Sequence, residues 1–496
     1  MSSSPPDVSA VLARGRLGTW AVVFFVIAAA APLTVVAGGA TTGYAVTGVR
    51  GIPVAYLLVA AVLALFSVGY VAMSRRIVNA GAFYTYITRG LGRPAGVGAA
   101  FVAVVGYNAM QIGLYGGFGS VLAGFLADRG MQVPWWLCAY AAWAIVAVLG
   151  VLRIDLNGKV LAVMLIAEVV VALVYDAVMV THPADGGVTV DTLSPSHLLA
   201  AGIGAALVTA ITGFVGFEGT VVFSEETKDP RRTVPRATYL AVAITGLLYG
   251  ASAWAMSVAT GPDKIVDAAT ADGTDLMFNL VSPHLGSELV TIGRLLFITS
   301  LFAALLSFHH TVARYLFALG RERVLPAALG RTSRRTGAPK TGSIIQSTLA
   351  ALVLAGYVLA GADPIMHLFF WVTVTGGLGV LILMTVTSLA VVVFFARTPN
   401  DDGLWRTRLA PGLATLALGA ILVVTVEQFD TLLGVPTTSP LRWWIPASYG
   451  ITATVGLAFA LLLRTLRPDV YQAIGLGAQS ATAPLRTPEP VHQAAR

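Results

Sequence analysis

Gly213-Phe-Val-Gly-Phe-Glu-Gly-Thr220 lies inside an apolar stretch long enough to cross a bilayer, and its reading decides the fold. Gly213, Gly216 and Gly219 weaken a helix there, and Glu218 puts a carboxylate at hydrocarbon depth. An ionisable group in that setting is costly without a partner or a water cavity. The chain then turns abruptly charged, in Glu225-Glu-Thr-Lys-Asp-Pro-Arg-Arg-Thr-Val-Pro-Arg236. A span broken beside a buried acid and followed by a basic loop is how a solute pathway acquires a site at the bilayer midplane.

The rest of the chain agrees. Its 496 residues are 56% hydrophobic and only 11% charged, with a mean hydropathy of +0.80, too apolar for a soluble domain. Apolar runs of roughly twenty residues or more recur along it, each able to cross about 30 Å of hydrocarbon. Twelve helices are predicted, at 19–46, 52–73, 95–127, 134–152, 156–180, 198–226, 237–260, 288–319, 342–361, 366–396, 409–429 and 442–465. Residues 18–466 are thus read as one all-helical membrane domain, flanked by polar tails at 1–17 and 467–496. The first run is too long for a cleaved signal peptide and is read as a retained span. Cys138 is the single cysteine, so no internal disulfide is expected.

The net charge of +7 raises nucleic acid as a partner, but the placement of the charges excludes it. With the N-terminus inside, 26 of the 31 Lys and Arg fall on the cytoplasmic side. The exceptions are Arg50, Arg129, Lys264, Arg294 and Arg442. That asymmetry is the positive-inside pattern, and an even number of spans returns the C-terminus to the cytoplasm. The expected location is the cytoplasmic membrane.

Two spans are irregular. The first carries Ala28-Ala-Ala-Ala-Pro32 about halfway along, and proline breaks or kinks a helix interior. The sixth carries the glycines above. Two five-helix halves, each opened by an interrupted helix, have opposite topology and make an inverted repeat. The halves are predicted at about 19–180 and 198–396, with the last two spans, about 409–465, outside the repeat.

Three blocks in order resemble the amino acid–polyamine–organocation superfamily of permeases, over roughly residues 18–465. The first is Gly213-Phe-Val-Gly-Phe-Glu218 with the following Pro-Arg-Arg-x-x-Pro-Arg loop. The second is Asn79-Ala-Gly-Ala-Phe-Tyr-Thr-Tyr-Ile-Thr-Arg-Gly-Leu-Gly92, similar to the family's re-entrant loop after the second span. The third is Ala313-Arg-Tyr-Leu-Phe-Ala-Leu-Gly-Arg-Glu-Arg-Val-Leu-Pro326, similar to its loop after the eighth. The resemblance implies a LeuT-type fold in which spans 1, 2, 6 and 7 rock against spans 3, 4, 5 and 8. The chain departs from the family's Gly-Ser-Gly-like stretch in span 1, having Ala30-Ala-Pro-Leu-Thr34 instead. At the position near Thr212, where some members carry an aromatic lid, gating is expected to lean on Phe214 or Phe217.

The residues suggest how such a site would work. Pro32 suits the first position of a restarted half-helix, which leaves the N–H groups of Leu33, Thr34 and Val35 as an anion site for a substrate carboxylate. A plain structural kink is the simpler alternative. The outer half of span 6 ends near Thr212–Val215. Its carbonyls, with those of Ala28, Ala29 and Ala30, would accept from a substrate ammonium, and Ala31 at the break counts among the substrate-binding residues. A zwitterion satisfies both broken ends, which favours an α-amino acid. Gly216 leaves room for backbone to approach the ligand. Glu218 either holds the unwound backbone or carries a proton or ammonium.

Glu168 lies nine residues past Lys159, roughly 13 Å into the membrane. By resemblance, some family members place there a lysine that stands in for sodium; an acid in its stead can couple transport to protons, neutralise a cation, or simply bond a neighbouring helix. Thr299 and Ser300 form a possible cation site, with protons preferred over sodium. Asn108, Gln111 and Tyr115 share one face of span 3 and read as vestibule lining or interhelical bonding. His309 and His310 read as packing at the membrane edge. No His/Cys/Asp cluster has metal-ligand spacing and there is no Walker A motif, so neither metal nor cofactor is expected, and no catalytic residue is assigned.

The function expected is import of an amino acid by proton symport, through alternating access. A polyamine or other amine permease is the alternative, as is a sodium-coupled or exchange transporter. The other classes weighed are an intramembrane enzyme, a channel and a sensor. Partners beyond the solute, the coupling ion and the bilayer, including other copies of the chain, are not legible.

Overall fold

The computed structural model describes residues 18–77, 81–151, 155–184, 186–222, 227–333, 337–398 and 402–477. The predicted tail at 1–17, Asn79, Glu225 and Glu226 of the charged exit, and the chain beyond 477 lie outside them. The described chain is helical, with no strand. Eleven of its helices are long and apolar enough to cross a membrane, and Trp135–Gly150 is a shorter apolar one. This is a multi-pass helical membrane protein with the span count the sequence predicts.

In chain order the helices are α1 (Thr19–Ala30), α2 (Thr41–Thr47, entered through a wide π turn over Thr34–Ala40), α3 (Ile52–Ser74), α4 (Ala82–Leu91), α5 (Arg93–Ala127), α6 (Trp135–Gly150) and α7 (Asp155–Thr181). There follow α8 (Ile203–Phe214), α9 (Gly219–Val222), α10 (Pro230–Thr260), α11 (Ile265–Asp272), α12 (Leu276–Val281), α13 (Ser287–Arg321) and α14 (Lys340–Leu359). The last are α15 (Thr373–Arg397, led in by a π turn over Pro364–Val372), α16 (Ala410–Glu427), α17 (Phe429–Leu433), α18 (Leu441–Leu466) and α19 (Pro468–Ala473).

Small residues let these helices touch at the backbone, which is how helices associate where lipid removes the hydrophobic drive. A Cβ on Gly113 of α5 would stand 2.2 Å from the Thr373 hydroxyl, and one on Gly376 of α15 would stand 2.6 Å from the Gly106 carbonyl. Gly98 and Gly456 join α5 to α18 in the same way. The long helix α5 is therefore the post on which α15 and α18 lean.

The structure departs from the sequence reading in three places. The seventh span starts at Pro230 rather than 237, because proline at the first helical position costs no hydrogen bond. The outer loop 261–288 contains the short helices α11 and α12, whose Ile265, Ala269, Leu276 and Phe278 are buried. The third departure is at the C-terminal end. Residues 468–477, expected to begin a tail, pack on the ends of α4, α5 and α13.

The anchor of that strap is Glu322, a buried carboxylate just past α13. It accepts from the Tyr84 hydroxyl and from the N–H groups of Gly475 at 2.8 Å and Gly477 at 2.7 Å. Charge-assisted bonds of this kind are about twice as strong as neutral ones. Glu322→Ala should cost about 2–3 kcal/mol and free the strap, read as a lower thermal midpoint and new protease cleavage near 474–477.

Candidate functional site

The two interrupted spans meet. At the end of α1 the backbone of Ala31 turns left-handed, with φ 44° and ψ 77°, and Pro32 restarts the helix. At the end of α8, Val215 is extended and Gly216 takes φ 123° before α9 begins. A Cβ on Gly216 would lie 2.9 Å from the Ala29 Cβ and 3.4 Å from the Ala29 and Ala30 backbone. The breaks are thus stacked, and the Tyr249 hydroxyl of α10 fixes them by donating to the Ala30 carbonyl at 2.9 Å.

Beside them is a cavity of about 60 Å³. A water needs at least about 10–15 Å³ counted this way, so the space suits the head of a small solute. Ala29, Ala30, Ala31, Thr34, Thr212 and Val215 line it, all from the predicted set. None of its lining residues is Lys, Arg, His, Asp or Glu. Its walls include Phe308, Phe369 and Phe370, not the predicted Phe214 and Phe217. Phe214 instead packs on Tyr56 and Tyr249, and Phe217 on Phe66. The helix register that turns Gly213 and Val215 inward turns those two rings away.

Three side-chain oxygens in the wall are buried and have no partner: the hydroxyls of Thr34, Tyr56 and Thr373. Membrane hydroxyls commonly bond their own i−4 carbonyl, as Thr209 and Thr212 do here. A buried hydroxyl that bonds nothing is costly, so three around one cavity mark where a ligand's polar atoms are expected. Tyr56 and Thr373 escaped the sequence reading because each is one polar residue in an apolar run, with no local signal of where it points.

Of the N–H groups at the restart, expected to be free, those of Thr34 and Val35 are engaged. The Glu168 carboxylate lies beside Leu33 and Ser300 at the restart. Thr34 N–H donates to Ser300 Oγ at 3.3 Å, and Val35 N–H donates to the Ala31 carbonyl at 3.1 Å. Glu168 Oε2 is buried without a partner. Thr299 bonds the Leu296 carbonyl, leaving Ser300 as the member of the predicted cation pair that stands at the break.

Glu218 is buried behind the second break. Its Oε2 accepts from Gly216 N–H at 2.9 Å, Oε1 accepts from the Tyr107 hydroxyl, and its carbonyl accepts from Tyr70. The arrangement matches the backbone-holding alternative for this residue.

On α5, Gln111 makes bonds to other helices, the alternative the sequence offered beside a vestibule lining. Met110 and Leu114 face the cavity. Asn108 bonds back to the Val104 carbonyl. Gln111 joins Tyr115, His309 and Gln346, and His309 reaches Ser343 at 2.6 Å. His309 and His310 are buried in the bundle rather than at its edge. A wider space of about 340 Å³ lies elsewhere, lined by Ser120, Asp128, Asp275, Asn279 and Arg294. Phe297 from its wall and Phe369 from the smaller cavity both close on Gly38, which places two rings between the spaces.

The family model described as amino acid permease matches residues 17–456. The chain belongs to the amino acid permease family. This permease is 23% identical to the low-affinity putrescine importer PlaP of Escherichia coli (strain K12), over 86% of its own length and 92% of the importer's. It is also 23% identical to the branched-chain amino acid permease BcaP of Bacillus subtilis (strain 168), over 75% and 80% of the two chains. A methylthioribose transporter of the same Bacillus strain is 24% identical over 45% of the permease. These proteins are named for solutes of different charge, so the family membership establishes a membrane transporter and leaves the solute to the site.

Proposed function

We propose that this permease imports a small organic amine across the cytoplasmic membrane, in symport with a proton carried by Glu168. The observation that carries the amine reading is the cavity lining, formed by the ends of α1 and α8 with no basic side chain. The Thr34 and Val35 N–H groups of the restarted helix, the feature of the site best suited to a carboxylate, are already bonded within the protein. The cavity wall is made of the ends of α1 and α8, three unpartnered hydroxyls and aromatic rings, with no basic side chain. Carbonyl ends attract an ammonium, and the apolar walls take an aliphatic or aromatic body. Binding and release alternate as the broken spans rock against the rest of the bundle.

An α-amino acid is the second reading. The hydroxyls of Thr34, Tyr56 and Thr373 favour it, since three O–H donors can hold a carboxylate that the helix end no longer binds.

The test is uptake into proteoliposomes of amino acids and their decarboxylated amines, with a pH gradient, a sodium gradient or neither. Saturable uptake of an amine under the pH gradient alone is expected. Tyr56→Phe should raise the half-saturation concentration about tenfold, the loss of one bond to a charged group, without lowering stability. Uptake restricted to amino acids moves the assignment to the second reading. Equal accumulation with and without the pH gradient removes the proton.

A further inference from the structure

Asp176 is a second buried carboxylate on α7, and nothing in the transport cycle described above uses it. It shares the buried stripe of that helix with Leu165, Glu168, Ala172, Tyr175 and Met179. Eight residues separate it from Glu168, about 12 Å along the axis. Its Oδ2 accepts from the Ser252 hydroxyl of α10 at 2.7 Å, while Oδ1 is buried with no partner. One turn along α10 is Tyr249, whose hydroxyl reaches the Ala30 carbonyl beside the break. Two acids on one buried stripe, each with one unpartnered oxygen, are poorly explained as helix staples. A staple needs only the hydrogen-bonded oxygen, and an isolated carboxylate is expensive at this depth unless it holds a proton.

Resting on the proton-symport reading, we infer that Asp176 is the outer station of the proton route that loads Glu168. On the orientation given by the Lys and Arg distribution, Asp176 lies on the extracellular side of Glu168. A proton from outside binds Oδ1 of Asp176, passes through water past Tyr249, and ends on Oε2 of Glu168. Asp176 is left ionised for the next proton, so one proton enters and one is delivered. From the elements packed on α7, the groups facing this stretch are few. The helix α10 offers Ser252 and Tyr249, while α1 and α12 carry no titratable side chain. The helix α13 carries Glu288 and Arg294, the latter paired with Asp128 at 3.0 Å and Asp275 at 3.1 Å. On α7 itself Tyr175 donates to the Leu289 carbonyl. Beyond its end His182 stacks on His284 at 3.7 Å. Among the described residues, no basic side chain bonds Asp176.

Asp176→Asn keeps a side chain able to accept from Ser252 but cannot carry a proton. In proteoliposomes it should retain solute exchange down no net gradient, lose accumulation under a pH gradient about tenfold or more, and show a flattened pH profile of initial rate. Ser252→Ala removes the staple and leaves the proton-bearing group, so it should accumulate nearly as the parent does. Parental accumulation and pH profile in Asp176→Asn overturn the inference. So does a Ser252→Ala protein that loses accumulation and exchange together with Asp176→Asn, which would make the pair structural. Glu168→Gln separates the two levels. If it collapses accumulation while Asp176→Asn does not, this inference alone fails; if it too accumulates normally, the symport reading fails.

Discussion

Glu168→Gln is expected to abolish uphill uptake under a pH gradient, by about 100-fold or more, while solute exchange survives. Glutamine keeps the shape and an oxygen toward Leu33 and Ser300, the neighbours beside which this side chain lies at the break. It cannot bind and release a proton in Oε2's position, which is buried and otherwise unpartnered. A merely structural Glu168 would tolerate the change, since both contacts can be kept. Parental accumulation in the variant sinks the coupling role, and loss of exchange along with accumulation would show a folding or binding defect instead.

Gly216→Ala should be the most damaging single-methyl change, with uptake lowered roughly 100-fold in protein that still reaches the membrane. Two effects act together. The backbone there has φ 123°, a region that costs a residue with a Cβ of order 1–3 kcal/mol. The new methyl would also meet the Ala29 Cβ at 2.9 Å, forcing the two breaks apart. The Gly216 N–H that bonds Glu218 would shift with them. Gly187, where an added Cβ meets nothing within 4 Å, serves as the control site for alanine. Uptake within about threefold of the parent in Gly216→Ala would show that the paired breaks are not the site.

The places where the readings diverge follow a physical pattern. Span positions were legible because hydropathy over about twenty residues is a property of the chain itself. The breaks were legible for a similarly local reason: Pro32 and Gly216 restrict or free their own backbone, whatever surrounds them. Partnerships were not. Spacing placed Asn108, Gln111 and Tyr115 on one face of a helix, but not which neighbour the face meets. In the fold it meets His309 and Gln346, and Met110 and Leu114 line the cavity. The strap at 468–477 was hidden because its stability comes from Glu322 and Tyr84, distant in sequence.

By itself, then, the sequence determined a helical membrane protein of about twelve spans, with the first and sixth interrupted and acids buried near the breaks. Those are consequences of local backbone chemistry and of transfer into hydrocarbon. Tertiary structure alone decided what the broken ends bind. It brought Ser300 from α13 onto Thr34 N–H, turned Phe214 and Phe217 away, and left Tyr56 and Thr373 beside the cavity without partners. A hydrogen bond between spans depends on how whole helices are rotated and seated, and that is fixed by the packing of all of them together.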